Sequence, residues 1–123
     1  MKRILIVDDA ATVRMYHRNI LETAGYAVEE AVNGIEALEK SLQQSFDLFV
    51  VDINMPKLDG YGFLRELRSQ DVAQAPAIMV STEAESNDHI RAYAAGANVY
   101  MVKPVKPDQL LINVKLLIGE ACL

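Results

Sequence analysis

Five short apolar runs, each followed by a stretch with helical spacing, leave few folds open to this chain. Residues 3 to 7 form the first run. Val13 to Ala24 then reads as a helix, with Val13, Tyr16, Ile20 and Ala24 on one face and Gly25 as its stop. The alternation repeats as Ala27 to Ala31 then Ile35 to Gln43, Asp47 to Val51 then Tyr61 to Ser69, and Ala77 to Val80 then Asn87 to Ala95. Val99 to Val102 supplies a fifth strand, and a last helix runs from Pro107 to Gly119. Near-continuous apolar character in the first, third and fourth runs predicts strands buried on both faces, hence a parallel sheet covered by helices on both sides. Turn residues agree: Asn33-Gly34 and Asp59-Gly60 precede helices two and three, Gly96 stops helix four, and Pro107 suits a first helical turn. No linker or low-complexity segment interrupts the 123 residues, so one domain over 1–123, with no separate output domain, is expected.

Four of the strands end in polar signals. Asp8-Asp9 follow Ile4-Leu5-Ile6-Val7, Asp52 follows Leu48-Phe49-Val50-Val51, Ser81 follows Ile78-Met79-Val80, and Lys103-Pro104 follow Tyr100-Met101-Val102. In an open parallel sheet, ligands bind beyond the carboxyl ends of the strands, where strand order reverses. Three carboxylates gathered there would repel one another and raise each other's pKa, so a hard divalent cation, Mg²⁺, is their natural complement. With a cation present, Asp52 can act as a nucleophile toward phosphorus while the metal and Lys103 neutralise the oxygens of the transferring group, giving an aspartyl phosphate. Taken singly, an Asp-Asp pair is more often a helix cap, a strand-end Asp a turn residue and Lys-Pro a loop dipeptide. Their shared placement at four strand ends is what those plainer readings do not predict.

Composition removes other classes. A net charge of −5 disfavours a general nucleic-acid surface, which needs clustered Lys and Arg. Apolar runs stay far below the roughly 20 residues of a membrane span. Met1-Lys2-Arg3 lead into too short an apolar run for a signal peptide, so a cytoplasmic protein is expected. The single Cys122 has no partner for a disulfide or zinc site, and His17 and His89 have no ligand grouping around them.

The ordered set Ile6-Val7-Asp8-Asp9, Val51-Asp52-Ile53-Asn54-Met55-Pro56 with Asp59-Gly60, Val80-Ser81-Thr82-Glu83 and Val102-Lys103-Pro104 resembles the receiver domains of bacterial two-component response regulators. The resemblance covers essentially the whole chain. It implies a flavodoxin-like (βα)5 fold, a doubly wound five-stranded parallel sheet of order 2-1-3-4-5. By it, Asp52 is the phosphoacceptor, Asp9 and Asp52 give carboxylate oxygens to Mg²⁺, Asn54 gives a backbone carbonyl, and Asp8 supports the metal through water. Lys103 contacts a phosphate oxygen and Asp52, and the Lys103-Pro104 bond is cis. Ser81, not Thr82, takes the place of the signalling hydroxyl, and Tyr100 is the aromatic switch, whose inward rotation remodels the face made by helix four, strand five and helix five. Asn54, Thr82 and Glu83 flank the route of phosphoryl and water. The implied chemistry is the protein's own Mg²⁺-dependent phosphorylation and dephosphorylation, not turnover of another substrate. Implied partners are a histidine kinase as phosphodonor and an output protein.

Asp8 to Arg14, followed by Arg18-Asn19-Ile20-Leu21, is similar to the first helix of stand-alone chemotaxis (CheY-like) receivers, which implies the flagellar motor switch as output, and Asn54 and Glu83 match the pair that flanks the water's route there, which implies rapid self-dephosphorylation. Ser81, Thr82 and Ile53 depart from that pattern. A phosphorelay intermediate or a kinase-regulating receiver is the competing role. A flavodoxin would need a phosphate loop rich in Ser, Thr or Gly where Asp8-Asp9 would repel the phosphate, an Asp-nucleophile phosphatase would need an Asp-x-Asp pair and a cap that this sequence does not show, and an unphosphorylated scaffold leaves the acceptor set unexplained.

Two surfaces remain. At about 100° per residue, Leu110, Leu111, Val114, Leu117 and Ile118 form one stripe of helix five, while Ile112 and Leu116 point nearly opposite. That second pair, with Arg91 of helix four, is a candidate surface for a partner or for weak phosphorylation-dependent dimerisation of a monomer. On helix one, Arg14, His17 and Arg18 read as a local basic face, either solvated or docking an acidic kinase or phosphotransfer partner.

Overall fold

Alternate residues of the central strands face opposite helical layers, and this period of two builds two cores on one sheet. The computed structural model describes residues 1–82 and 86–119. Its elements are β1 (Arg3–Val7), α1 (Ala11–Thr23), β2 (Ala27–Ala31), α2 (Gly34–Gln43), β3 (Leu48–Asp52), α3 (Gly60–Ser69), β4 (Ala77–Ser81), α4 (Ser86–Ala95), β5 (Val99–Val102) and α5 (Pro107–Ile118). All four strand pairings are parallel, in the order β2-β1-β3-β4-β5, so the expected sheet is the observed one.

Leu5, Val7, Phe49, Val51, Ala77 and Met79 face one way and pack with Phe63, Leu64 and Leu67 of α3 and Ala92 and Ala95 of α4. Ile4, Ile6, Leu48, Val50, Ile78 and Val80 face the other way, against Leu21 of α1 and Leu110 and Val114 of α5. The buried strands β1, β3 and β4 are the apolar ones, whereas β2, with Glu29 and Glu30, sits at an edge where charge discourages further strand pairing.

Local signals set the helix starts. The Asn33 side chain accepts from the Glu36 amide at 2.8 Å and Asp59 from the Gly62 amide at 2.8 Å, capping α2 and α3. Helix α1 has no such cap: Asp8 Oδ1 accepts instead from the amide of Ala10, ahead of the helix, at 2.9 Å. The capping role open to the Asp8-Asp9 pair is therefore not the one they play, and both carboxylates are left to the sheet edge.

Helix α1 also presents a different face from the one its apolar spacing predicts. His17 and Leu21 are buried, while Tyr16 lies half-exposed with its hydroxyl donating to the Val105 carbonyl at 2.8 Å. A phenol can reach across the α1–α5 seam to a free carbonyl, and the smaller ring at position 17 fills the space beneath. Among the described residues, no helix is long and apolar enough to cross a membrane.

Candidate functional site

Strand register delivers the first two acidic positions level with each other. Val7 pairs with Val51, so Asp8 and Asp52 emerge side by side from the two central strands, both buried. Carboxylate oxygens of Asp8, Asp9 and Asp52 lie within 4.8 Å of one another, with Asp9 exposed to solvent. An all-oxygen donor set of this charge, open on one side, fits a hard divalent cation that keeps some of its waters. From β5, Lys103 reaches the same point, its Nζ donating to Asp52 Oδ1 at 2.9 Å and to Asp8 Oδ2 at 3.2 Å. The Lys103-Pro104 peptide is cis, as expected, and the Lys103 amide donates to the Ser81 carbonyl at 2.7 Å.

Burial pushes the Asp52 carboxyl above its ordinary value; the Lys103 hydrogen bond opposes this, and the charges of Asp8 and Asp9 reinforce it. For Lys103, burial alone would lower the pKa, but the hydrogen bond to Asp52 and the charges of Asp52 and Asp8 outweigh it and hold the ammonium above its usual range. One cation thus serves two buried carboxylates, an arrangement that leaves negative charge uncompensated.

A hydroxyl completes the edge. Ser81 ends β4, fully buried, one strand from Asp52, whereas Thr82 is exposed. Asn54, in the loop after β3, is exposed. Glu83 lies outside the described residues. A cleft of about 310 Å³ opens between α1 and the β5–α5 connection, with Tyr16, His17, Thr82, Lys103 and Pro104 on its walls.

Residues 4–115 match the model of the response regulator receiver domain. The chain belongs to this family. Such receivers take a phosphoryl group from histidine kinases in two-component phosphorelays and act on output partners. It is 46% identical over 110 residues to the chemotaxis protein CheY of Bacillus subtilis, covering 89% of this chain and 91% of CheY. To the transcriptional regulatory protein ResD of the same bacterium it is 37% identical over 119 residues, covering 97% of this chain and 49% of ResD. The chain therefore spans about half the length of several curated relatives it matches. Among solved structures, the receiver domain of the sensor histidine kinase PA1611 of Pseudomonas aeruginosa, with magnesium coordinated in its active site cleft, aligns with a TM-score of 0.89 at 31% identity over 97% of this chain and 98% of that one.

The Tyr100 ring is buried and stacks on His89 of α4, ring centroids 4.0 Å apart and 30° between planes. Arg91, on the same helix, is solvent-exposed and carries its guanidinium 4.3 Å from the ring centroid of Tyr61. Ile112 and Leu116 stand 53% and 65% exposed, in line with their placement opposite the core stripe of α5. Ile90, Tyr93 and Val102 are exposed as well, so α4, β5 and α5 together present apolar surface.

The basic face expected on α1 is not there. His17 is buried, and both arginines are engaged: Arg14 and Arg18 pair with Glu30 of β2, and Arg18 also with Glu22 at 3.2 Å. The acidic partners sit on an edge strand that helical spacing alone does not bring into view. Among the described residues His17 Nδ1 has no hydrogen-bond partner, and burial lowers the imidazole pKa, Asp8 opposing and Lys103 adding to the shift. Burial thus favours the neutral imidazole in the folded protein. Its contribution to stability is intact above about 6.5, the ordinary value, and declines as pH falls from there toward the folded value, because the unfolded chain binds the proton first. His17→Leu removes the orphaned nitrogen and should raise stability by about 1 kcal/mol in urea titrations. It should also abolish the part of the acid-side slope that begins near pH 6.5.

Proposed function

We propose that this receiver accepts a phosphoryl group on Asp52 and passes the event to a protein partner through Ser81 and Tyr100. The observation that carries the reading is the convergence of Asp8, Asp9, Asp52 and Lys103 at the ends of three strands, with ligand oxygens mutually within 4.8 Å and one ammonium bridging two carboxylates.

Asp9 and Asp52 would hold Mg²⁺ through carboxylate oxygens, with Asp8 supporting it through water and the Asn54 carbonyl joining them. When bound, the cation neutralises the cluster and the oxygens of the transferring group. An Asp52 oxygen attacks phosphorus, and the bond from phosphorus to the histidine nitrogen of the kinase breaks, the nitrogen keeping the electron pair. Lys103 then follows the charge from the free carboxylate to the new phosphoryl oxygens. The product adds about −1.5 to −2 charges and three strong acceptors, beside β4, the strand that Ser81 ends. Movement of Ser81 toward those acceptors favours the population in which Tyr100 stays packed inward, and so sets the α4–β5–α5 surface on which Ile112, Leu116 and Arg91 stand. The protein catalyses only its own phosphorylation and dephosphorylation, with Asn54, Thr82 and Glu83 flanking the approach of water.

A chemotaxis output, the flagellar motor switch, is supported by the similarity to CheY across most of both chains. A phosphorelay or kinase-regulating role is the second reading, supported by the match to a receiver carried on a histidine kinase. A cytoplasmic location follows from either. Incubation with acetyl phosphate and Mg²⁺ should add about 80 Da, one phosphoryl group, and chelation of the metal should prevent it. A chain that stays unmodified with Mg²⁺ present contradicts the proposal.

A further inference from the structure

The turn that carries Asp8 and Asp9 is held from outside the site. The Asp8 amide donates to the Ala31 carbonyl at 3.1 Å, and its carboxylate receives Ala10 N–H and Lys103. The remaining polar atom, the Asp8 carbonyl, accepts from Arg14 Nη1 at 2.7 Å. Arg14 comes from the first turns of α1, with only 16% of its side chain exposed. Its Nε donates in turn to Glu30 Oε1 at 2.8 Å, and Glu30 is fixed by Arg18 on its other oxygen and by Lys40 on its carbonyl. A planar guanidinium holds separate donors at fixed angles toward a carbonyl and a carboxylate, a pre-organisation that an ammonium on a flexible stem lacks.

We infer that Arg14 is a positioning residue for the metal centre: by clamping the Asp8 carbonyl to Glu30 of β2, it fixes the β1–α1 turn so that Asp8 and Asp9 face Asp52. The inference rests on the reading of the three aspartates as a divalent-cation site. Simple electrostatics predicts the opposite sign for the same residue. A guanidinium near three carboxylates competes with a cation for them, so its removal should tighten cation binding if charge were its whole effect. Positioning predicts weaker binding, since groups that orient metal ligands typically contribute about 10- to 100-fold to affinity.

Titration with MgCl2 followed by backbone amide NMR reads the fold and the affinity in one experiment. For Arg14→Met, which keeps the apolar stem, the expected result is a folded spectrum with Mg²⁺ bound about tenfold more weakly. Arg14→Lys should fall between this and the wild type. Arg18→Met is the control: Arg18 contacts Glu30 but not Asp8, and Lys40 still holds Glu30, so its loss of affinity should be well below that of Arg14→Met. Binding by Arg14→Met as tight as wild type or tighter overturns the inference, as does an equal loss in Arg18→Met. If Arg14→Met does not fold, Arg14→Lys decides alone: weaker binding supports positioning, unchanged binding overturns it. A wild type without saturable shifts overturns the cation reading itself, and the inference with it.

Discussion

Lys103→Met is expected to destabilise the metal-free protein by about 3 kcal/mol, because removing one partner from a buried ion pair strands the other. Here it strands two, since Lys103 bridges Asp52 and Asp8, side chains only 8% and 3% exposed. Met retains the apolar stem, so the loss reports charge rather than packing. Mg²⁺ should restore much of it by linkage, as the cation binds only the folded cluster. The pH dependence has a defined sign. Burial already raises the Asp52 pKa above 3.8, so between that value and the folded one the native state holds a proton that the unfolded chain has released. Stability therefore falls as pH rises through that window and recovers on acidification. Without Lys103 the opposing hydrogen bond is gone and the window extends upward, so the variant should gain more from mild acidification than wild type does. Urea titrations at several pH values, with and without Mg²⁺, measure all of this. A variant as stable as wild type without metal would mean that the carboxylates do not depend on Lys103.

Gly60→Ala is the second large effect. A Cβ at this position would lie 2.4 Å from the Asp52 carbonyl oxygen and 3.0 Å from Ile53 Cα, both backbone atoms that cannot rotate away. The Gly60 amide already donates to the Ile53 carbonyl at 2.9 Å, so α3 begins stitched to the end of β3. Overpacking of this kind costs about 1–3 kcal/mol, and the backbone that must yield belongs to Asp52 itself. Weaker Mg²⁺ binding and slower modification by acetyl phosphate should accompany the loss of stability. Gly62→Ala provides the contrast: its new Cβ meets chiefly the flexible end of Leu58, at 2.6 Å, so its effect should be smaller and confined to stability. Equal losses in the two variants would remove the argument from backbone contact.

Much of the edge was legible because each of its groups ends an apolar run. Asp8 follows β1, Asp52 and Ser81 end β3 and β4, and Lys103 follows β5, all strands in parallel register. Strand and helix bounds shift by at most two residues from those expected, as Ala11 and Asp52 illustrate, since terminal positions depend on single hydrogen bonds. What stayed hidden depends on contacts between segments distant in sequence. Arg14 reads as surface charge until Glu30, sixteen residues on, is placed beside it by β2. His17 reads as solvated until Tyr16 is seen spanning to Val105 above it. The close approach of Gly60 to Asp52 follows from the path of a loop, which no periodicity encodes. Tyr100 was legible as a position, but its stacking on His89 of α4 was not.

The most direct test locates the phosphoryl group. Wild-type protein treated with acetyl phosphate and Mg²⁺, then reduced with borohydride to trap the acyl phosphate, should yield one modified peptide, the one containing Asp52, and Asp52→Asn should yield none. Modification at Asp8, Asp9 or Ser81 in the wild type, or undiminished modification of Asp52→Asn, would contradict the assignment of Asp52 as phosphoacceptor.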